Sequence, residues 1–180
     1  VQKLVTIAEL KVNTDINPGI GNSAISVDRL IDAAQLEDLH PLLGDKLFWD
    51  LIKNPTSVAS GRDYVSLLVE TEYTFDNITY TSPGIKKVLY DFVYARYRYQ
   101  NQEIDQPGGF ATIDTPNMPR TSVTRNINIY STWRRSAIAN WDEVRNYLQR
   151  VEPQYTHWIG SEAHLDTGEE KIIINKVTVT

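Results

Sequence analysis

Apolar positions along this chain follow two rhythms, and the change from one to the other marks its elements. In SVDRLIDAAQLEDLHPLLG, Val27, Leu30, Ile31, Ala34 and Leu39 recur at helical spacing, which predicts an amphipathic helix with one buried side. Ser26 or Asp28 can cap its start, and Pro41 and Gly44 end or kink it. GDKLFWDLIKN predicts a short second helix with Leu47, Leu51 and Ile52 inward, and Ser60 can cap a third over GRDYVSLLVE. From Glu72 to Thr81 the period falls to two, with β-branched and aromatic residues alternating around Asp76-Asn77. That dipeptide tolerates the positive φ angles of a tight turn, so a two-stranded hairpin is predicted. Ahead of these elements, Leu4 to Leu10 reads as a strand-like or first-turn segment before the loop NTDINPGIGNS.

The helical rhythm returns after Ser82-Pro83, with Ser82 as cap and Pro83 at the first helical position, where its missing N–H costs nothing. Over Gly84 to Gln102, Ile85, Val88, Leu89, Phe92, Ala95 and Tyr99 form the stripe expected to face a core. Tyr90, Tyr94 and Tyr97 form a second stripe, with Val93 beside it. Two readings fit a helix with two apolar sides: it is central and buried on both within its own domain, or the second stripe meets a neighbouring subunit. Tyrosine suits half-apolar, half-wet contacts, so Tyr90, Tyr94 and Tyr97 are the candidate subunit interface. The final long helix, Ile127 to Val151, places Trp133, Ala137, Trp141, Val144, Leu148 and Val151 on one side and its arginines elsewhere.

The remaining segments are connections and a tail. EIDQPGGFATIDTPNMPRTSVTR, Glu103 to Arg125, is long for a loop inside a compact domain, and such loops usually serve a function. Its Pro107-Gly108-Gly109 lacks the ending and context of a phosphate-binding loop. Beyond Pro153 the tail QYTHWIGSEAHLDTGEEKIIINKVTVT is not expected to fold alone, and it ends in KIIINKVTVT. Left in water, Ile172, Ile173, Ile174, Val177 and Val179 would present a β-prone edge, so this stretch is expected to act as a partner-binding arm. The expected architecture is mainly α: a helical bundle with a small β-hairpin over residues 1–151, and an extended C-terminal arm containing a β-strand over residues 152–180.

Composition narrows the function classes. The 180 residues suit one domain with appendages. With no cysteine, disulfides and thiolate chemistry are excluded. No apolar run approaches the roughly 20 residues of a bilayer span, and VQKLVTIAEL does not resemble a signal peptide. His40, His157 and His164 are too few and too scattered for a zinc site, and the serines show no nucleophile-elbow pattern. Neither an enzyme nor a cofactor or metal protein is expected. The net charge of -5 lacks the basic footprint of a sequence-reading nucleic-acid binder. Its distribution is uneven: residues 1–80 carry -6, residues 81–150 carry +4 and residues 151–180 carry -3. Arg134 and Arg135 are therefore expected to pair across a subunit boundary with the acidic N-terminal half of a neighbour.

The order of these segments carries a resemblance. AAQLEDLHPLLGDKLFWDLI resembles an "AQ…hLkplLG…ly" helix pair, FDNITYTSPGIKKVLYDFVYARY a hairpin followed by an "NPGLKK…YYAYARY" helix, and SAIANWDEVRNYL a closing "A…yW…v..YL" helix. Together, over residues 3–151, they are similar to the head-to-tail connector (adaptor, neck or ring) proteins of tailed bacteriophages, of the type found in Bacteroidetes-infecting and crAss-like phages. The resemblance implies a virion protein, assembled in the host cytoplasm, that forms a homo-oligomeric ring, typically twelvefold, beneath the portal. The ring would join capsid to tail and enclose a DNA passage with at most non-specific contact to DNA. Its implied partners are the portal protein and other neck or tail proteins, with no membrane. Two features depart from the family pattern. Gln106-Pro-Gly-Gly-Phe-Ala replaces a frequent "TPFGLV", and the tail beyond Val151 has no counterpart. The alternative expectation is a small non-virion adaptor or regulator that dimerises through the same tyrosines.

Overall fold

The computed structural model describes residues 2–16, 23–100, 123–151, 155, 157 and 158. The fold is mainly α, with two small antiparallel strand pairs. In chain order the elements are α1 (Ile7–Asn13), α2 (Ser23–Ala33), a π-helical stretch (Ala34–Leu39), α3 (His40–Leu43) and α4 (Asp45–Lys53). Then come β1 (Val58–Ala59), β2 (Arg62–Asp63), α5 (Tyr64–Leu68), β3 (Thr71–Phe75), β4 (Ile78–Ser82), α6 (Gly84–Gln100) and α7 (Val123–Arg150).

Of the two N-terminal readings, the first-turn one holds, because Leu4–Leu10 enters a helix rather than a strand. Thr6 Oγ1 accepts from Glu9 N–H at 3.2 Å, and Glu9 Oε2 accepts from Thr6 N–H at 2.7 Å. This reciprocal capping box satisfies two donors that the first turn would otherwise leave unpaired. Glu9 also meets Lys86 of α6 at 2.5 Å, which clamps α1 onto the centre of the fold.

Between Ser23 and Leu43 the backbone is helical throughout, but not uniformly. The buried residues come as pairs repeating every four positions: Leu30 and Ile31, Ala34 and Gln35, Asp38 and Leu39, Leu42 and Leu43. An ordinary α-helix would rotate such a set by about 40° per repeat and carry it off the core. The wider turn at Ala34–Leu39, where His40 N–H reaches Gln35 C=O, absorbs that drift. It also precedes Pro41, which has no N–H to give. Gly44, at φ 75°, ends the run and lets α4 turn away with Leu47, Phe48, Leu51 and Ile52 inward.

The hairpin forms at the predicted place. Asp76 and Asn77 have φ 49° and 62°, and Tyr73 pairs with Tyr80 in register across the strands. Two positive φ angles at the centre match the twist of the strands, which is why Asp-Asn closes the turn. Two predicted caps are replaced. Asp63, not Ser60, caps α5 by accepting from Ser66 N–H, because the chain first forms the β1–β2 turn that Ser60 occupies. Ser82 completes β4, and its buried hydroxyl makes no hydrogen bond among the described residues. Gly84 makes the junction possible: its φ is 75°, and a Cβ there would sit 2.4 Å from Val69 O.

Among the described elements, α6 lies at the centre. Its longest contact is with α7, and α2, the π-helical stretch and α5 cover its other sides. The unbroken buried run from Val88 to Ala95 records this enclosure. Tyr90, Tyr94 and Tyr97 are therefore core residues of this chain, 7%, 5% and 7% exposed. The central position of α6 accounts for its two apolar sides, since elements of the same chain cover both. Tyr99, predicted inward, is 51% exposed and lies against Tyr130. Beyond Val151, Tyr155 and Trp158 are buried in the same core. The loop at 103–122 and the arm with Ile172, Ile173, Ile174, Val177 and Val179 lie outside the described residues.

Candidate interaction surface

Two buried carboxylates hold the helices that carry the surface. Asp38, from the π-helical stretch, receives Arg96 Nε at 2.6 Å and Arg134 Nη1 at 2.9 Å. Arg96 also meets Glu37 at 2.7 Å, and its guanidinium is held above its ordinary pKa because these carboxylates outweigh the cost of burial. Asp91 of α6 receives Lys87 Nζ at 2.9 Å and Ser136 Oγ and Asn140 Nδ2, both at 2.8 Å, which ties α6 to α7. Basic and acidic halves of the sequence do pair, as the charge pattern suggests. For Arg134 they pair inside one chain rather than between subunits, because the acidic partner comes from an element packed on the same helix. Arg135 is exposed on α7.

At one side of the fold the outer face of α4 forms an open groove of about 370 Å³ with β2 and the residues after α7. Its lining is Lys46, Trp49, Asp50, Lys53, Arg62 and His157. Lys46, Trp49 and Lys53 share that face because helical residues three, four and seven apart are neighbours, and the apolar residues between them point into the core. Asp50 is fully engaged. Arg62 Nε stands 3.2 Å away and the Tyr64 hydroxyl donates to it. Burial, then the Asp50 carboxylate, push the Tyr64 hydroxyl far above its ordinary pKa, so it remains a donor. Arg62 Nη2 also lies 3.0 Å from His157 Nε2, which makes that nitrogen the acceptor. Trp49 is 40% exposed, and neither Lys46 nor Lys53 makes an ion pair among the described residues. The groove thus offers two free ammonium groups flanking an indole.

A ladder of tyrosines joins the groove to the hairpin. Tyr64 stacks on Tyr155, the Tyr155 and Tyr147 hydroxyls lie 3.0 Å apart, Tyr147 meets Tyr73 edge-on, and Tyr73 stacks on Tyr80. Arg150 closes it, with its guanidinium 4.0 Å from the Tyr80 ring centre and Nη1 3.0 Å from the Tyr73 hydroxyl. Beyond this anchor the hairpin tip carries Phe75 and Ile78, 38% and 55% exposed. The outer edges of β3 and β4 pair with nothing among the described residues. Tyr155 and His157 belong to a part of the sequence that pattern reading assigned to the arm; the only signal there was aromatic content, in QYTHW.

Among the described residues, no group of three or more His, Asp or Glu could hold a metal ion, and no helix is long and apolar enough to cross a membrane. What the site offers chemically is recognition: a groove with two unpaired lysines beside an exposed indole, an apolar tip and open strand edges. No curated protein and no solved structure gives a significant match to the chain. One family model does match, over residues 39–167, a span that includes the groove, the tyrosine ladder and the hairpin. The chain belongs to that family, a family of unknown function designated DUF6712.

Proposed function

We propose that this protein is a structural virion component, a head-to-tail connector whose copies form a ring beneath the portal, join capsid to tail and leave a passage for DNA. The observation that carries this reading is a pair of unlike adhesive surfaces outside a complete core. One is the Phe75–Ile78 tip with its open strand edges, and the other is the lysine-flanked groove at Trp49. A closed ring requires one patch of each subunit to meet a different patch of the next, whereas a two-fold dimer needs only a single self-complementary patch. The helix pair, hairpin and paired long helices also occur in the order on which the resemblance to phage connectors rests.

In this reading the helices form the connector bundle and Lys171–Thr180 is an arm that leaves it. Five-residue strands with open edges are what an arm of alternating β-branched residues can extend, satisfying its backbone by strand addition. Electron microscopy of the protein mixed with its portal is the test. A ring seated on the portal vertex supports the reading, and particles no larger than a dimer, with the portal bare, favour the small non-virion adaptor.

A further inference from the structure

We infer that the groove at Trp49 receives the acidic segment that follows Trp158 in a second copy of this chain. The inference rests on the ring reading and names the partner of one of its surfaces. Lys46 and Lys53 lie two turns apart on α4, about 10 Å along the axis, and are unpaired among the described residues. Asp50, the one carboxylate among the described residues that line the groove, is already shared by Arg62 and Tyr64. The groove therefore has surplus positive charge around an exposed aromatic ring, and calls for a partner with two or more carboxylates at matching spacing and something to lay on the indole.

The chain supplies such a segment. Ile159–Glu170, IGSEAHLDTGEE, carries Glu162, Asp166, Glu169 and Glu170 and no Lys or Arg, with Leu165 beside Asp166. Asp166 and Glu169, three residues apart, share one face of an extended chain with three residues per turn and stand about 9 Å apart there, close to the interval between the two lysines. The segment follows directly on His157, which lines the groove, and Trp158, which is anchored in the core. Asp166 lies eight positions beyond Trp158, about 26 Å when extended, enough to cross to an adjacent subunit. Single-stranded nucleic acid is the weaker candidate: two free lysines and one ring make a small footprint for a strand, which needs a basic groove several nucleotides long.

The test is a charge exchange in the full chain. One variant reverses the groove (Lys46→Glu/Lys53→Glu) and another reverses the segment (Asp166→Lys/Glu169→Lys). Each alone should assemble at least about tenfold more weakly than the unaltered chain, with the loss largest at low salt. Mixed together they should assemble again, because each then offers the other an opposite charge. Wild-type assembly by both single variants, or no recovery on mixing, overturns the inference; the latter would place the segment in its own groove. A fluorescent Ile159–Glu170 peptide titrated against the full chain separates this inference from the ring reading. Binding that weakens with salt and is lost in Lys46→Glu/Lys53→Glu supports the groove assignment even if no ring forms. Equal binding to both proteins, or a groove that takes a labelled single-stranded oligonucleotide but not the peptide, overturns it.

Discussion

Asp38 and Arg134 lie 96 positions apart in the chain and 2.9 Å apart in the fold. With Arg96 on the other carboxylate oxygen, the pair joins the π-helical stretch, α6 and α7 at one buried point. Removing one partner from such a cluster leaves an uncompensated charge out of water. Asp38→Ala should therefore destabilise the chain by about 3–5 kcal/mol, measured as a shift in the urea midpoint. Arg134→Ala should also lower stability. An Arg134→Ala chain that unfolds like the wild type but no longer self-associates would return this arginine to a subunit boundary.

The tyrosine stripe of α6 gives a second prediction. Tyr94 meets Trp133 edge-on with ring centres 4.6 Å apart and stacks on Tyr97, so both rings are packing elements. Tyr94→Ser should cost about 3 kcal/mol or more, and changing Tyr90, Tyr94 and Tyr97 together to serine should abolish cooperative unfolding by circular dichroism. Retained helix content in the triple variant would contradict their place in the core.

Gly84 is constrained twice, by a positive φ and by the Val69 carbonyl. Gly84→Ala should lower stability by more than about 2 kcal/mol, whereas Gly44→Ala, where φ is also 75° but a Cβ meets nothing within 4 Å, should cost less. Thermal unfolding of the two variants side by side checks the order.

Glu9 sets a pH dependence at the N-terminus. Burial alone would raise its pKa, but the hydrogen bonds from Lys86 and Thr6 outweigh it and hold the carboxyl below its ordinary value of 4.5. A carboxylate depressed in the folded state contributes stability that is complete above the unfolded pKa and lost as pH falls through the folded one. Hydrogen exchange should show α1 protected at neutral pH and opening below about pH 4, ahead of the helices around α6. Glu9→Gln should open α1 at both pH values.

How far the sequence disclosed this fold depends on what each signal encodes. The Asp76-Asn77 turn was legible because its chemistry is local, and α4 because its apolar face is unambiguous. Periodicity showed that α6 has two apolar sides but not which elements cover them, since Asp38, Glu9 and Trp133 arrive from distant parts of the chain. The π-helical stretch was written as a four-residue recurrence that helical spacing alone reads as an ordinary helix. The groove was hidden for a related reason: nothing in the local sequence sets Lys46 and Lys53 apart, and Arg62 and His157, 95 positions apart, meet beside them only in the fold. Tyr155 and Trp158 sat in a stretch whose polar neighbours masked two anchors.

The proposal that the chain builds a closed assembly through two unlike surfaces is tested most directly by the mass of the purified protein, alone and with a phage portal protein. Native mass spectrometry should give one discrete high multiple of the subunit, about twelvefold, alone or once the portal is present, with no ladder of open intermediates. A monomer or dimer under both conditions would contradict it.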